Sequence, residues 1–194
     1  MADDRLDQIL DAAYACFTRH GVKRTTMDDI ASAAGMSRPG VYQYVRGKDD
    51  AFRRLAQRLF DGALEQTRRD VEGDAPVAER LHRVLSTKLE LTLGLYADSP
   101  HAGEMLDAGA RLSGDVVEAF NAGLRDLAAS TVADAARRGE VALGRRKPAD
   151  VAEIALALTR GLEMGSGEPR HLRRQLRLGV DLLLDGLLPA EAPA

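Results

Sequence analysis

A single cysteine in 194 residues leaves no partner for an internal disulfide, so Cys16 excludes a disulfide-stapled scaffold and fits a reducing compartment. It lies near the apolar side of a helical pattern and reads as a buried structural thiol. No apolar run approaches the roughly 18 residues that a membrane span requires; VDLLLDGLL is broken by Asp185 and Gly186. The opening MADDRLDQIL places acids where a secretory leader has basic residues and then an apolar run, so export is not expected and the cytoplasm is the expected compartment. The four histidines, His20, His82, His101 and His171, are scattered and lack a partnered nucleophile. Neither GRRKP nor GVYQYVRGKDD meets the glycine–lysine spacing of a phosphate-binding loop. His101, Glu104 and Asp107 stand at three-residue spacing, but surface carboxylates reach such spacing by chance, so no metal, cofactor or catalytic site is expected. Low-complexity sequence is scarce, which excludes extensive disorder.

What remains is a helical period. Nearly every segment repeats its apolar residues at 3.6-residue spacing and none alternates as a half-buried strand does, so the expected class is all-α. Leu6, Ile9, Leu10, Ala13 and Phe17 make one stripe of a first helix that Gly21 ends. TTMDDIASAAG opens on Thr26 as N-cap, with Asp29 three residues on, and closes at Gly35. Asp49 and Asp50 favour the start of a longer helix reaching about Val71. EGDAP at 72–76 is the first strong breaker; Pro76 then suits a first helical turn. Further helices follow after ADSP at 97–100, from a Ser113 cap to Gly139, from Pro148, and after GSGEP. Residues 189–194 are expected to be disordered.

Between the second and third long patterns lies GMSRPGVYQYVRGKDD, which packing alone does not explain. Two short helices joined by a tight glycine turn suggest a helix-turn-helix, whose second helix enters the DNA major groove. Ile30 and Ala31 then face the partner helix, Gly35 takes the left-handed turn conformation, and Met36, Val41 and Val45 anchor the second helix. Within that frame Ser37 is an N-cap that can also meet a phosphate, and Pro39 in the first turn loses no intrahelical bond. Gly40 leaves the backbone open to DNA. Arg38 is placed for a guanine edge or a phosphate, Gln43 for a base edge, Tyr42 and Tyr44 for phosphates, and Lys48 for a further phosphate. The net charge of −3 hides a local surplus: Arg19, Lys23, Arg24, Arg38, Arg46 and Lys48 face only Asp28 and Asp29 between residues 19 and 48.

ILDAAYACFTRHGVKRTTMDDIASAAGMSRPGVYQYVRGKDDAFRRL resembles the N-terminal DNA-binding domain of the TetR family of bacterial transcriptional regulators, over roughly residues 7 to 60. The other two-thirds resembles the family only in length, helix count and a long C-terminal helix pair. The resemblance implies a homodimer on a palindromic double-stranded operator, usually a repressor released by a small molecule held in the C-terminal domain. It carries DNA-contact roles onto Thr25, Thr26, Ser37, Arg38, Gly40, Tyr42, Gln43 and Lys48. One departure is Val45, where the family more often has an aromatic residue; a smaller anchor is expected to shift the recognition helix slightly.

The expected division is a DNA-binding domain over residues 1–50 and an effector-binding and dimerisation domain over 51–188, with the helix from Asp49 as the lever between them. Leu59, Leu89, Leu93, Tyr96, His101, Met105, Phe120 and Leu124 are the candidate lining of an effector pocket, which implies a mainly apolar molecule. Surplus apolar residues on the last two helices imply an interface between copies, through Val151, Ile154, Leu158, Leu162, Leu176, Val180, Leu183 and Leu184, with Leu178, Leu182 and Leu184 adding apolar surface on other sides. The competing readings are a helical ligand-binding or enzyme-like protein that binds no operator, and a ligand-independent regulator or activator.

Overall fold

The first apolar stripe forms α1 (Ala2–His20), with Ile9, Leu10, Ala13 and Phe17 buried on one face. The computed structural model describes residues 2–164 and 167–187; the tail expected to be disordered, residues 189–194, lies outside them, as does Gly165. Gly21 ends α1 with a φ of +81°, which only glycine adopts without strain. Then come α2 (Met27–Ala33), α3 (Arg38–Val41), α4 (Lys48–Asp70), α5 (Val77–Asp98), α6 (Ala102–Leu112), α7 (Gly114–Arg137), α8 (Pro148–Glu163) and α9 (Pro169–Asp185). The described residues contain helices and no strand, so the chain is all-α. Ser113, expected to cap α7 with its hydroxyl, does not: its Oγ is buried without a protein partner, and its carbonyl accepts the Val117 N–H at 2.9 Å. The main chain alone carries that junction.

Packing divides the chain into two compact units, one of residues 1–62 with 94–120 and one of residues 63–93 with 121–194. In the first, α2 packs on α1, α3 on α2, and α6 on α1. The shared core runs from Ile9 through Phe17, Ile30, Val41, Val45, Phe52 and Leu55 to Met105 and Ala108 of α6. Phe17 and Phe52 meet with ring centroids 5.5 Å apart and planes tilted by 59°, an attractive edge-to-face geometry. Polar side chains fix the rim: Arg58 donates to Asp7 at 3.0 Å and to Asp11 at 2.5 Å, and Gln8 donates to the Ala34 carbonyl at 2.9 Å. A forked Arg53–Asp115 pair lowers the Asp115 carboxyl to about 2, mainly through its hydrogen bonds.

The second unit buries Leu81, Val84, Leu85 and Leu89 of α5 together with Leu124, Ala128, Val132 and Ala135 of α7, Val151, Ala152 and Ala155 of α8, and Leu172, Leu176, Val180 and Leu184 of α9. Its one buried arginine is fully engaged. Arg80 donates to Asp134 at 2.7 Å, to Glu140 at 2.8 Å and to the Ala75 carbonyl at 2.8 Å, one bond from each guanidinium nitrogen.

Arg80→Ala leaves Asp134 and Glu140 without their shared cation and should destabilise the protein by roughly 2–3 kcal/mol at neutral pH, measured as a lowered urea midpoint. The hydrogen bond from Arg80 is the largest cause holding the Asp134 carboxyl below its ordinary range. That contribution is complete above the ordinary carboxylate range and is lost as pH falls through the lowered folded value, so the gap between wild type and variant should narrow on acidification.

Candidate nucleic-acid interface

The turn after α1 sets the entry to α2. Thr25, expected to touch DNA, is instead buried at 1% exposure, and its Oγ1 donates to the Gly21 carbonyl at 2.7 Å. A hydroxyl committed to the main chain inside a turn closes that turn; it is not offered to solvent. Thr26 is exposed and caps α2: its Oγ1 accepts the Asp29 N–H at 3.2 Å while the Asp29 carboxylate accepts the Thr26 N–H at 2.8 Å. The Thr26 hydroxyl also donates to that carboxylate, at 2.7 Å; this bond first, and then the one from the Thr26 N–H, hold the Asp29 carboxyl below its ordinary range.

Gly35, with a φ of +61°, makes the turn between α2 and α3. Ser37 caps α3 by accepting the Gly40 N–H at 3.2 Å, and Pro39 follows in the first turn. The helix is one turn long, so its placement rests on Val41 and Val45, both buried, with Met36 and Tyr44 packed half-buried beside them. Val45 is buried at 1% exposure. On the opposite side Ser37, Arg38, Pro39, Tyr42 and Gln43 are exposed and Gly40 half-exposed. Ser37, Arg38, Pro39, Gly40, Tyr42 and Gln43 thus share the outer side of α3, whereas Thr25 is buried and Tyr44 packs half-buried with the anchors.

Three interactions here were not legible in the sequence. Asp28 of α2 accepts from Arg38 at 3.1 Å, and the same guanidinium lies over the Tyr42 ring, 5.7 Å from its centroid. Arg38 and Asp28 are ten residues apart, and nothing in helical spacing alone pairs them. Lys48 reaches back to the α1–α2 turn, where its Nζ donates to the Lys23 carbonyl at 3.1 Å and keeps two further protons for an anion. Arg24 and Arg46 are exposed on the same unit.

Comparison with known sequences agrees with this geometry. The sequence profile of bacterial regulatory proteins of the TetR family matches residues 9–55, which begin inside α1 and end in α4. Over these residues the chain is similar to the TetR family. It is 30% identical over 111 residues to the uncharacterized HTH-type transcriptional regulator YhgD of Bacillus subtilis, covering 54% of this chain and 58% of that one. It is 37% identical over 113 residues to the HTH-type transcriptional repressor Rv1474c of Mycobacterium tuberculosis, covering 56% and 60%. The matched stretches thus span little more than half the length of these relatives. SmeT, the repressor of the Stenotrophomonas maltophilia multidrug efflux pump SmeDEF, shares the fold in its triclosan complex with a TM-score of 0.72 at 23% identity, covering 98% of this chain and 95% of that one.

The other TetR-like expectations distribute unevenly. Of the candidate effector lining, Leu59, Tyr96, His101, Met105 and Phe120 belong to the first compact unit and Leu89, Leu93 and Leu124 to the second. Leu59 and Tyr96 are exposed, whereas Met105 sits in the core beneath the reading helices and Phe120 stacks on Phe60 at 4.6 Å. Of the candidate dimer contacts, Val151, Leu176, Val180 and Leu184 are buried within their own unit and are not available to a partner, because the dominant stripe of an amphipathic helix turns first to its own core. Leu158, Leu162 and Leu183 are half-buried, Leu158 lying against Gly179 of α9. Ile154, Met164, Leu178 and Leu182 stay exposed at 56–90%. Among the described residues no cluster suited to a metal ion occurs, and no helix is long and apolar enough to cross a membrane.

A Cβ added at Gly40 meets only the Ser37 hydroxyl, at 3.1 Å, and the tip of Met36, at 3.7 Å. Gly40→Ala should therefore leave thermal stability within about 1 kcal/mol of wild type, the helix gain offsetting the disturbed cap. Binding to DNA should nevertheless fall, since the methyl occupies the approach of the backbone; a variant destabilised well beyond this, or binding DNA unchanged, contradicts the assignment.

Proposed function

We propose that this chain is a homodimeric DNA-binding transcriptional regulator that represses from a palindromic operator and is released by a small, mainly apolar effector. The observation that carries the reading is the exposed face of α3. A one-turn helix held from behind by Val41 and Val45 presents Arg38, Gly40, Tyr42 and Gln43, with Ser37 at its cap and Lys48 at the start of the next helix. Nothing in the stability of this unit calls for such a set on its outer side. Residues 1–50 act as the reading domain and 51–188 as the effector and dimer domain. The named repressors among the relatives support the sign of regulation, and the triclosan bound to SmeT supports an apolar effector. An effector releases DNA only through its differential affinity for two conformations, so it favours the one in which the reading helices are wrongly spaced.

The exposed apolar side chains of α8 and α9, Ile154, Met164, Leu178 and Leu182, support a dimer joined through these helices. Its two α3 helices then meet successive major grooves about 34 Å apart.

Selection of duplexes from a random pool, followed by titration, tests the reading. A palindromic sequence should be enriched, its affinity should fall steeply with salt through counterion release, and Lys48→Ala should lower the salt slope by about one. Gln43→Ala should relax preference at one position of each half-site by about 1–3 kcal/mol. Enrichment of no sequence at moderate salt would defeat the reading. For the dimer, Leu178→Asp combined with Leu182→Asp should yield folded monomers in sedimentation, and a wild-type monomer at micromolar concentration would remove the dimer.

A further inference from the structure

The reading face depends on a residue far outside the matched motif. The α1–α2 turn, residues 21–25, carries on its C-terminal side the Thr26 cap of α2, and it receives bonds from two other helices. From α6, the Glu104 carboxylate accepts the Lys23 N–H through Oε1 at 2.6 Å. From α4, the Lys48 ammonium donates to the carbonyl of the same Lys23 at 3.1 Å. One peptide position is thereby gripped at its donor by α6 and at its acceptor by the lysine expected on a phosphate.

Gly21 shows how closely the carboxylate is seated. A Cβ there would lie 2.5 Å from Glu104 Oε2 and 3.3 Å from His101 Nδ1, so the turn has no side chain on the side where α6 approaches. The helix that carries Glu104 is itself fastened. Ser99 Oγ donates to the Thr18 carbonyl at 2.8 Å just before α6 begins, and Met105 and Ala108 enter the core shared with α1, α2 and α3. Asp107 and Arg111 of the same helix face solvent, whereas Glu104 is half-buried against the turn; a stability argument asks for no carboxylate there, since the turn could expose the Lys23 N–H to water.

We propose that Glu104 is a positioning residue for DNA recognition: by holding the Lys23 peptide it fixes both the α2 entry at Thr26 and the Lys48 ammonium in the geometry that a phosphate backbone meets. It touches no DNA itself. The proposal rests on the DNA-binding reading above. It predicts that the Lys23 peptide, and with it the reading face, is held by this carboxylate in addition to the core packing of α6, since a charge-assisted bond to a main-chain donor is short and directional.

Three measurements on the full-length protein decide it, using the duplex that wild type enriches from a random pool and a scrambled duplex of equal length. Glu104→Ala should bind the enriched duplex about tenfold more weakly and the scrambled one within twofold of wild type, because loose phosphate contacts tolerate a mobile turn and register-dependent ones do not. Glu104→Gln, whose amide oxygen still accepts from Lys23, should stay within threefold of wild type on both. By hydrogen exchange, the Lys23 amide should be protected in wild type and in Glu104→Gln and exchange at least tenfold faster in Glu104→Ala. The proposal is overturned if Glu104→Ala binds the enriched duplex like wild type, if it weakens both duplexes equally, or if the Lys23 amide is unprotected in wild type. Wild type that enriches no duplex defeats the DNA-binding reading itself, and the positioning role with it, whereas enrichment with an indifferent Glu104→Ala defeats the positioning role alone.

Discussion

A four-residue helix cannot hold itself. Nucleating one turn of α-helix costs more than its single closed hydrogen bond returns, so α3 exists where it does because Val41 and Val45 are buried in a core built by α1 and α2. Full burial of each valine contributes about 1.5–3 kcal/mol, the order of magnitude needed to fix a segment this short. Every polar group on the outer side of α3 inherits its direction from those two side chains. The glycine turn at Gly35 and the Ser37 cap refine the placement, but they act on a helix already anchored.

Around that anchor the charged residues do different jobs on different sides. Arg58 ties α4 to α1 through Asp7 and Asp11, and Arg53 ties α4 to the start of α7 through Asp115, so part of the basic charge is spent on internal pairs. The cations left toward the reading side, Arg24, Arg38, Arg46 and Lys48, are held more loosely, by Asp28 or by a carbonyl or in the open. A protein with a formal charge of −3 can thus present a basic face, because the acids are drawn to the helix starts and the rim.

The second unit follows a different logic. Its buried arginine, Arg80, donates from each guanidinium nitrogen, and each of its helices buries an apolar stripe. What α8 and α9 leave exposed is Ile154, Leu178 and Leu182, with Met164 just past the end of α8.

The sequence by itself determined the helices and most of their ends. Gly21, Gly35 and Gly139 adopt the positive φ that stops a helix, Thr26 and Ser37 cap as their hydroxyls permit, and Pro148 opens α8, because these effects act over a few neighbouring residues. The motif likewise marked the exposed residues of α3, since its apolar anchors fix which side faces out. Tertiary structure decided what periodicity cannot express. It turned Thr25 inward, because a hydroxyl beside a positive-φ glycine finds the main chain before it finds solvent. It sent Val151, Leu176, Val180 and Leu184 to the core of their own unit and left Leu178 and Leu182 outside, a choice set by which face of α9 meets α8. It joined Asp28 to Arg38 and Glu104 to Lys23, 81 residues apart, because such contacts are fixed by how helices pack and not by the spacing of residues along any one of them.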